Sequence, residues 1–376
     1  MAHAFKFGIE EEMFLANARS RGAPTRSVER FHKEVAKRLD SVERELLQNQ
    51  VEICTKPSER FEEARSVLSG LRTGLAEIGL KHGLLVFAAG THPTALWPAQ
   101  QETAKSRYVD MMDDLQIVGR RSVVCGLHIH VEVPRPEARV DLMNRLLPFL
   151  PVLLALSTSS PFWEKRRTGL AGYRMRAYAE LPRTGLPELF DEAADYDRYV
   201  EGMTTSGAVK DATYFWWHIR PSIRFPTLEL RVADSCTRLD DTLAIAALYR
   251  CLVRLVDRRP DIHAGLTGAS RGFVMENLWR AERSGVHATL IDEATLKGVR
   301  LPKLLDALLD LVAEDAAALG CEAECRHART IARKGSSADG QLEAYEASLK
   351  EGRSERQALS AAIDWLAAET VSPIAI

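Results

Sequence analysis

Long apolar runs are scarce in this chain. The longest, Leu146 to Leu156, falls short of the roughly 20 residues that a bilayer-spanning helix needs, and Pro148 and Pro151 interrupt it. Excess charge of either sign is missing too. Fifty Lys and Arg stand against 52 Asp and Glu, so no global field favours nucleic acid or an anionic membrane. Cysteine is sparse: six residues, at 54, 125, 236, 251, 321 and 325, with no C-x-x-C pair, which excludes a disulfide scaffold. Cys321 and Cys325, with His327, stand at helical spacing but lack a second ligand pair, so buried or idle thiols account for them better than zinc does. Nothing at Met1–Phe14 resembles a signal peptide, because Glu10, Glu11 and Glu12 fall where an apolar stretch would be needed. A cytoplasmic protein is the expectation. Repeats, low-complexity tracts and an evident linker are absent as well.

What is present is an ordinary globular composition, 46% hydrophobic and 27% charged over 376 residues, enough for a sizeable core in one large domain or two medium ones. Residues 5–15 alternate, with Phe5, Phe7, Ile9, Met13 and Leu15 opposite Lys6, Gly8, Glu10 and Glu12, which predicts a strand with one polar face. Residues 46–55, 123–133 and 227–233 repeat the pattern, and 84–89 form a short apolar strand. Apolar residues at three- and four-residue steps predict a helix over 58–82. Helical sequence also covers 137–157, 239–257 and most of the chain after 300, with a loop at Lys334–Gly340. Residues 161–220 read as long loops over a site. Strands separated by helices and insertions imply an α+β fold with a mainly antiparallel sheet.

The polar faces of four strands carry an unusual set: Glu10 with Glu12, Glu52, His128 with His130, and Glu229 with Arg231. A strand face turned to plain water usually carries Lys, Thr, Ser and Gln. Carboxylate oxygens instead are the hard ligands that Mg2+ and Mn2+ prefer, and an imidazole can join them. Singly, E-x-E is a solvated face, H-x-H a polar pair and E-x-R a cross-strand ion pair. Together, so many carboxylates on one face would repel unless cations neutralise them.

These residues lie in motifs that resemble a known family. Gly8-Ile-Glu-Glu-Glu-Met-Phe14, Cys125-Gly-Leu-His-Ile-His-Val131 and Thr227-Leu-Glu-Leu-Arg-Val-Ala-Asp234 occur in the order seen in YbdK-like carboxylate-amine ligases, the glutamate–cysteine ligase type 2 family. More distantly, that order is similar to the glutamine synthetase catalytic domain. Leu46–Glu52, Gly90-Thr-His-Pro93, Arg107-Tyr108, Ser160-Pro161, His218–Ser222 and Glu276–Ala281 have counterparts too, so the resemblance covers nearly the whole chain. It implies a curved antiparallel sheet whose concave face holds ATP with Mg2+ or Mn2+. It also implies a two-step reaction, in which a carboxylate, glutamate's γ-carboxyl in the best-known members, takes the γ-phosphate and the acyl phosphate then yields to an amine. By that analogy Glu10, Glu12, Glu52, His128 and Glu229 are metal ligands, Arg231 lies beside the transferring phosphoryl group, and His130 either contacts phosphate or supports a metal ligand from behind. Arg220 is the candidate grip on a substrate carboxylate or phosphate, and Thr91, His92 and Arg174 are candidates to line the substrate pocket. A catalytic domain over 1–300 with a helical C-terminal extension over 301–376 is expected, with a homodimer as a family-based possibility and cysteine or another amino acid as the amine.

Two residues depart from the pattern. Glu11 falls on the apolar face, where it needs a partner or an edge position. Glu132 follows H-x-H where many relatives have a small residue, and either adds a ligand or solvates the strand end. Two other readings use the same strand face: a metal-dependent hydrolase or phosphatase, and a non-catalytic binding protein. Asn277, Trp279 and Arg280 match a family motif, with packing the better account of Trp279, and Trp216-Trp217 belong either to the core or to an interface.

Overall fold

The structure, a computed structural model, describes residues 3–24, 28–103 and 106–371, with backbone alone at 106–109. The N-terminal alternation becomes strand β1 (Phe7–Asn17), the axis of a seven-stranded antiparallel sheet. The others are β2 (Val42–Arg44), β3 (Gln50–Cys54), β4 (Leu84–Phe87), β5 (Leu127–Glu132), β6 (Ile219–Pro221) and β7 (Thr227–Leu230). Their order is β6-β7-β5-β1-β3-β2, and β4 pairs with the far end of β1, at Phe14–Asn17. The expected α+β class and antiparallel sheet are what is found.

Period-two alternation gives this sheet a dry face. Ile9, Met13, Val51, Ile53, Leu127, Ile129, Val131, Leu228 and Leu230 all lie buried on it. Two helices cover it. α1 (Phe61–Lys81) packs on β3 and β4, and α2 (Leu239–Arg258) packs on β5. α2 is buried almost all round, from Leu239 to Val256, because the helix Glu322–Lys334 (α3) covers its far side. The apolar stretch Pro136–Ser157 is spent in the same way: its most apolar 18-residue window is 83% buried. It is two helices, Arg139–Leu146 and Leu150–Ser157, rather than one, since Pro148 cannot donate to the helical ladder and a 3-10 turn intervenes.

Glu11 finds its partner on the dry face. Arg72 of α1 donates from Nε to Glu11 Oε2 at 3.0 Å and from Nη2 to Oε1 at 2.6 Å, and both residues are fully buried. Thr242 Oγ1 adds a third bond to Glu11, at 2.6 Å. The remaining N–H groups of Arg72 reach the carbonyls of Cys236 at 2.9 Å, Thr237 at 2.7 Å and Thr370 at 3.3 Å. One guanidinium thus ties β1, α1, the start of α2 and the end of the C-terminal helix together.

After the hairpin Thr289–Asp292/Lys297–Arg300 the chain is helical: Leu301–Leu311, Ala313–Leu319, α3, α4 (Ser337–Lys350) and α5 (Glu355–Thr370). Leu301, Leu305, Leu308 and Leu309 join the same continuous core as Ile9 and Ile129. Buried hydrogen bonds add to this, as from Gln341 Nε2 to Ser159 O at 2.8 Å. The loop expected over Lys334–Gly340 shrinks to Gly335-Ser336, because Ser336 and Asp339 form a capping box that starts α4 early. Residues 161–220 likewise hold more helix than expected, at Arg174–Tyr178 and Ala193–Thr205.

Candidate active site

Strand register assembles the polar face. Across β1 and β3, Glu12 pairs with Glu52, and across β1 and β5, Glu10 pairs with His128. Glu229 of β7 pairs with His130 on one side and with Arg220 of β6 on the other. On the outer edge Glu43 pairs with Glu52. A one-residue slip in any strand would send its carboxylates into the core, so the apolar pattern fixes the site. The face floors a cavity of about 510 Å3 that all of these residues line.

The ligand atoms fall into two groups. Glu10, His128 and Glu229 offer one atom each within 4.8 Å of one another, and so do Glu12, Glu45 and Glu52. In the first group His128 Nδ1 lies 3.6 Å from Glu10 Oε2, and His130 Nε2 lies 3.5 Å from Glu10 Oε1. Burial works against ionising Glu10, but the two imidazoles win and hold it well below the usual carboxylate range. Glu229 is held low as well, since Arg231 and Arg220 outweigh its burial. Burial, with Arg231 nearby, pushes His128 down to about 4, so its ring is neutral and able to ligate. Its buried Nε2 has no hydrogen-bond partner.

The second group has the opposite balance. Burial and then the charge of Glu45 push Glu12 up to about 7, and the same two causes raise Glu52 well above its ordinary value. Glu12 Oε2 accepts a hydrogen bond from the backbone N–H of Gly126 at 2.6 Å. Gly126 is required there: a Cβ would come within 2.2 Å of the Arg174 guanidinium. Carboxylates crowded in this way, together with a neutral imidazole, fit hard divalent cations such as Mg2+ or Mn2+.

The arginines are placed differently from one another. Arg231 donates from Nη1 to Glu229 Oε1 and from Nη2 to the Tyr178 hydroxyl at 3.1 Å, while its buried Nε has no partner. Arg220 is nearly spent. Its Nε and Nη2 grip Glu229 at 2.6 and 3.2 Å, and Nη1 binds the carbonyls of Thr213 and Phe215 at 2.9 and 3.0 Å. Its fork therefore orients Glu229 and offers little to a substrate. Arg174 lies in the cavity floor, 1% exposed, bonded to the carbonyls of Arg231 at 3.3 Å and Ala233 at 3.0 Å. It lines the cavity from the short helix Arg174–Tyr178, a correction to the long loop that was expected to carry it.

Thr91 and His92 are a further correction, for neither lines the cavity. Thr91 Oγ1 donates to Phe162 O at 2.7 Å, and His92 Nδ1 accepts the backbone N–H groups of Thr94 and Ala95, both at 3.2 Å. Burial between Phe14 and Phe87 takes His92 down to about 3. They shape the turn after β4. Glu132 also stays out of the cavity and meets His3 at 3.8 Å, which fits the solvation of a strand end. Asn277 clasps both backbone groups of Ile291, Arg280 binds Glu276 and Thr289 O, and Trp279 lies beside Arg176, all remote from the cavity. Trp217 stacks on Phe215 in the core, while Trp216 lines the cavity. The side chains of Arg107 and Tyr108 lie outside the described residues.

The cavity also holds residues that sequence reasoning missed, chiefly Glu43 and Glu45. Their signal was Val42-Glu-Arg-Glu45, an alternation only a few residues long. Far from the cavity, Cys251 joins Cys321 and Cys325 at 3.5 and 3.8 Å, whereas His327 turns away to Asp241 at 2.8 Å. The three thiols are buried in the apolar core, in keeping with cysteine as a small apolar side chain.

Comparison with known proteins agrees with this geometry. Residues 6–360 match the sequence model of glutamate-cysteine ligase family 2. A candidate glutamate–cysteine ligase 2 of Bradyrhizobium diazoefficiens is 44% identical over 99% of this chain and 85% of its own length. One of Rhodospirillum rubrum is 43% identical over 99% of this chain and 97% of its own. Among solved structures, the glutamate–cysteine ligase of Francisella tularensis, in complex with AMP, superposes with a TM-score of 0.67 at 14% identity over 98% of this chain and 89% of that one. The bifunctional glutathione synthetase of Pasteurella multocida gives 0.69 at 14% identity, with 97% of this chain matching 52% of that one. These two share the fold. On the family match and the curated relatives, the chain belongs to glutamate-cysteine ligase family 2 and is an ATP-dependent carboxylate-amine ligase.

Proposed function

We propose that this enzyme joins the γ-carboxylate of glutamate to the amine of cysteine or another amino acid through an acyl phosphate. The supporting observation is the registered row of Glu10, Glu12, Glu52, His128 and Glu229 along one cavity floor with Arg231 beside it. In the first step a carboxylate oxygen bonds to the γ-phosphorus and ADP leaves. In the second the amine nitrogen bonds to the acyl carbon and inorganic phosphate leaves. Phosphoryl transfer asks a protein mainly to position and neutralise. When bound, Mg2+ or Mn2+ would neutralise and orient the phosphate oxygens.

The chain's own residues divide the remaining work. Glu10, His128 and Glu229 would hold one cation, and Glu12, Glu45 and Glu52 another. Arg231 turns its spare N–H groups toward the transferring phosphoryl group, where charge develops. His130, set by Thr227 Oγ1 at 3.0 Å, contacts phosphate, and Arg220 positions Glu229. Six unbonded thiols suit a reducing, cytoplasmic setting.

The test is ADP release from Mg·ATP with glutamate and a panel of amino acids including cysteine, with mass spectrometry of the products and Glu229→Ala as control. Amine-dependent ADP release with a new amide, lost in the control, is expected and identifies the amine. Turnover with a different carboxylate alone would overturn the glutamate assignment. Metal-dependent hydrolysis without nucleotide would replace it by the hydrolase reading.

A further inference from the structure

Three of the six cysteines converge on one point that the ligase chemistry does not use. Cys251 Sγ of α2 lies 3.5 Å from Cys321 Sγ and 3.8 Å from Cys325 Sγ, and all three sulfurs fall within 4.8 Å of one another. Cys251 stands 70 residues from Cys321, so the sequence shows only the helical pair Cys321 and Cys325. Apolar character explains the burial of a single cysteine, but not three sulfurs sharing one point. Three sulfurs each about 2.3 Å from one ion stand about 4 Å apart, and both Cys251 pairs are within about half an ångström of that spacing. Cys321 is also the N-cap of α3, a 13-residue helix whose N-terminal end favours a thiolate. The S–H groups of Cys251 and Cys325 hold the Cys321 thiol well below its ordinary range.

A buried cation beside the cluster points the same way. Arg250 is 2% exposed and lies over the Phe7 ring at 4.9 Å. Its N–H groups reach only neutral acceptors, the carbonyls of Ala4 and Phe5, both at 2.8 Å, and of Glu59 at 2.9 Å. The Glu59 carboxylate meets Lys6 instead, at 3.5 Å. Burial works against the charge of Arg250, and ionised Cys321 and Cys251 oppose burial ahead of Glu59. Three thiolates around a divalent ion carry one net negative charge, which this guanidinium balances. Soft sulfur selects ions such as Zn2+ or Cd2+ over the Mg2+ and Mn2+ that suit the cavity. His327 is turned to Asp241, so among the described residues the sulfurs are the whole ligand set. We propose that Cys251, Cys321 and Cys325 form a three-thiolate site for a soft divalent cation, separate from the catalytic cavity. Binding there releases the thiol protons and clamps α2, which covers the catalytic sheet, to the C-terminal helices.

The test uses Cd2+ and Zn2+ in millimolar Mg2+, added to the native protein and, because the sulfurs are sealed, during refolding from urea. One Cd2+ per chain with a thiolate-to-metal absorption band is expected, along with a raised urea midpoint. X-ray absorption of the Zn2+ form should show three sulfurs at about 2.3 Å. C251A and C325A should each weaken binding by at least roughly 100-fold, whereas C54S, at the cavity, should keep the band. No band in either preparation would overturn the inference, as would a shell of oxygen and nitrogen alone. A band lost in C54S and kept in C251A would move the metal to the cavity and overturn it as well.

Discussion

Glu11 and Glu12 are adjacent in sequence and opposite in circumstance. Glu11 is sealed into the dry face with Arg72 and Thr242 as partners, all supplied by the protein. Glu12 faces the cavity beside Glu45 and Glu52, and the nearest compensation the chain offers is a backbone N–H and the more distant charges of Arg174 and Arg231. Where a carboxylate serves the fold, its cation is built in. Where it faces the cavity, the described residues pair it with no such cation, and in the proposed function a bound one takes that place. The contrast separates structure from function by one residue.

The largest effect should come from breaking the built-in pair. Arg72→Ala leaves a buried carboxylate with the Thr242 hydroxyl but no cation and should cost about 3–5 kcal/mol, seen as a lower urea midpoint. Glu11→Leu with Arg72→Met should recover only part of the loss, because the carbonyls of Cys236 and Thr237 lose their donor. If Arg72→Ala unfolds like the wild type, the pair is not structural.

Next in size, Glu12→Gln should reduce turnover by at least roughly 100-fold, measured as ADP release, without lowering the stability of the metal-free protein. Equal loss of stability and activity would erase the contrast with Glu11.

A smaller effect is the pH dependence of stability. Folding raises the pKa of Glu12 from 4.5 to about 7, so between those values the folded state binds more protons than the unfolded one. Its contribution is present below pH 4.5 and is lost as pH rises through about 7. Metal-free wild type should therefore lose stability relative to Glu12→Gln across that window, in urea titrations at several pH values. Millimolar Mg2+ or Mn2+ should flatten the slope, because binding favours the ionised form. Least of all, Glu132→Gln should shift stability by under about 0.5 kcal/mol and leave ADP release unaltered.

Much of this was legible in the sequence because period-two alternation says which residues share a face, and the apolar set fixes which face is wet. Glu10, Glu12, Glu52, His128 and Glu229 were found in that way, and the register brings them together. What stayed hidden depended on distances that no local pattern encodes. A three-residue strand such as Val42–Arg44 is too short to show a period, so Glu43 and Glu45 were missed. Whether an arginine is free or spent is decided by carbonyls far along the chain, as with Arg174 and Ala233, or by neighbours on a paired strand, as with Arg220 and Glu229. His92 follows a strand end in a family motif, yet the aromatic pair Phe14 and Phe87 takes it into the core. Cys251 meets Cys321 only through the packing of α2 on the C-terminal helices.

The reach of Arg72 has a consequence in time. Its acceptors come from Glu11, Cys236, Thr237 and Thr370, so the set is incomplete until nearly the whole described chain has been synthesised. The strand that carries Glu10 and Glu12 thus has its full set of ties through Arg72 only when α5 docks. Translation that stops short of residue 370 would leave this guanidinium short of an acceptor beneath the catalytic face, exposing incomplete copies to proteases before they could bind substrate.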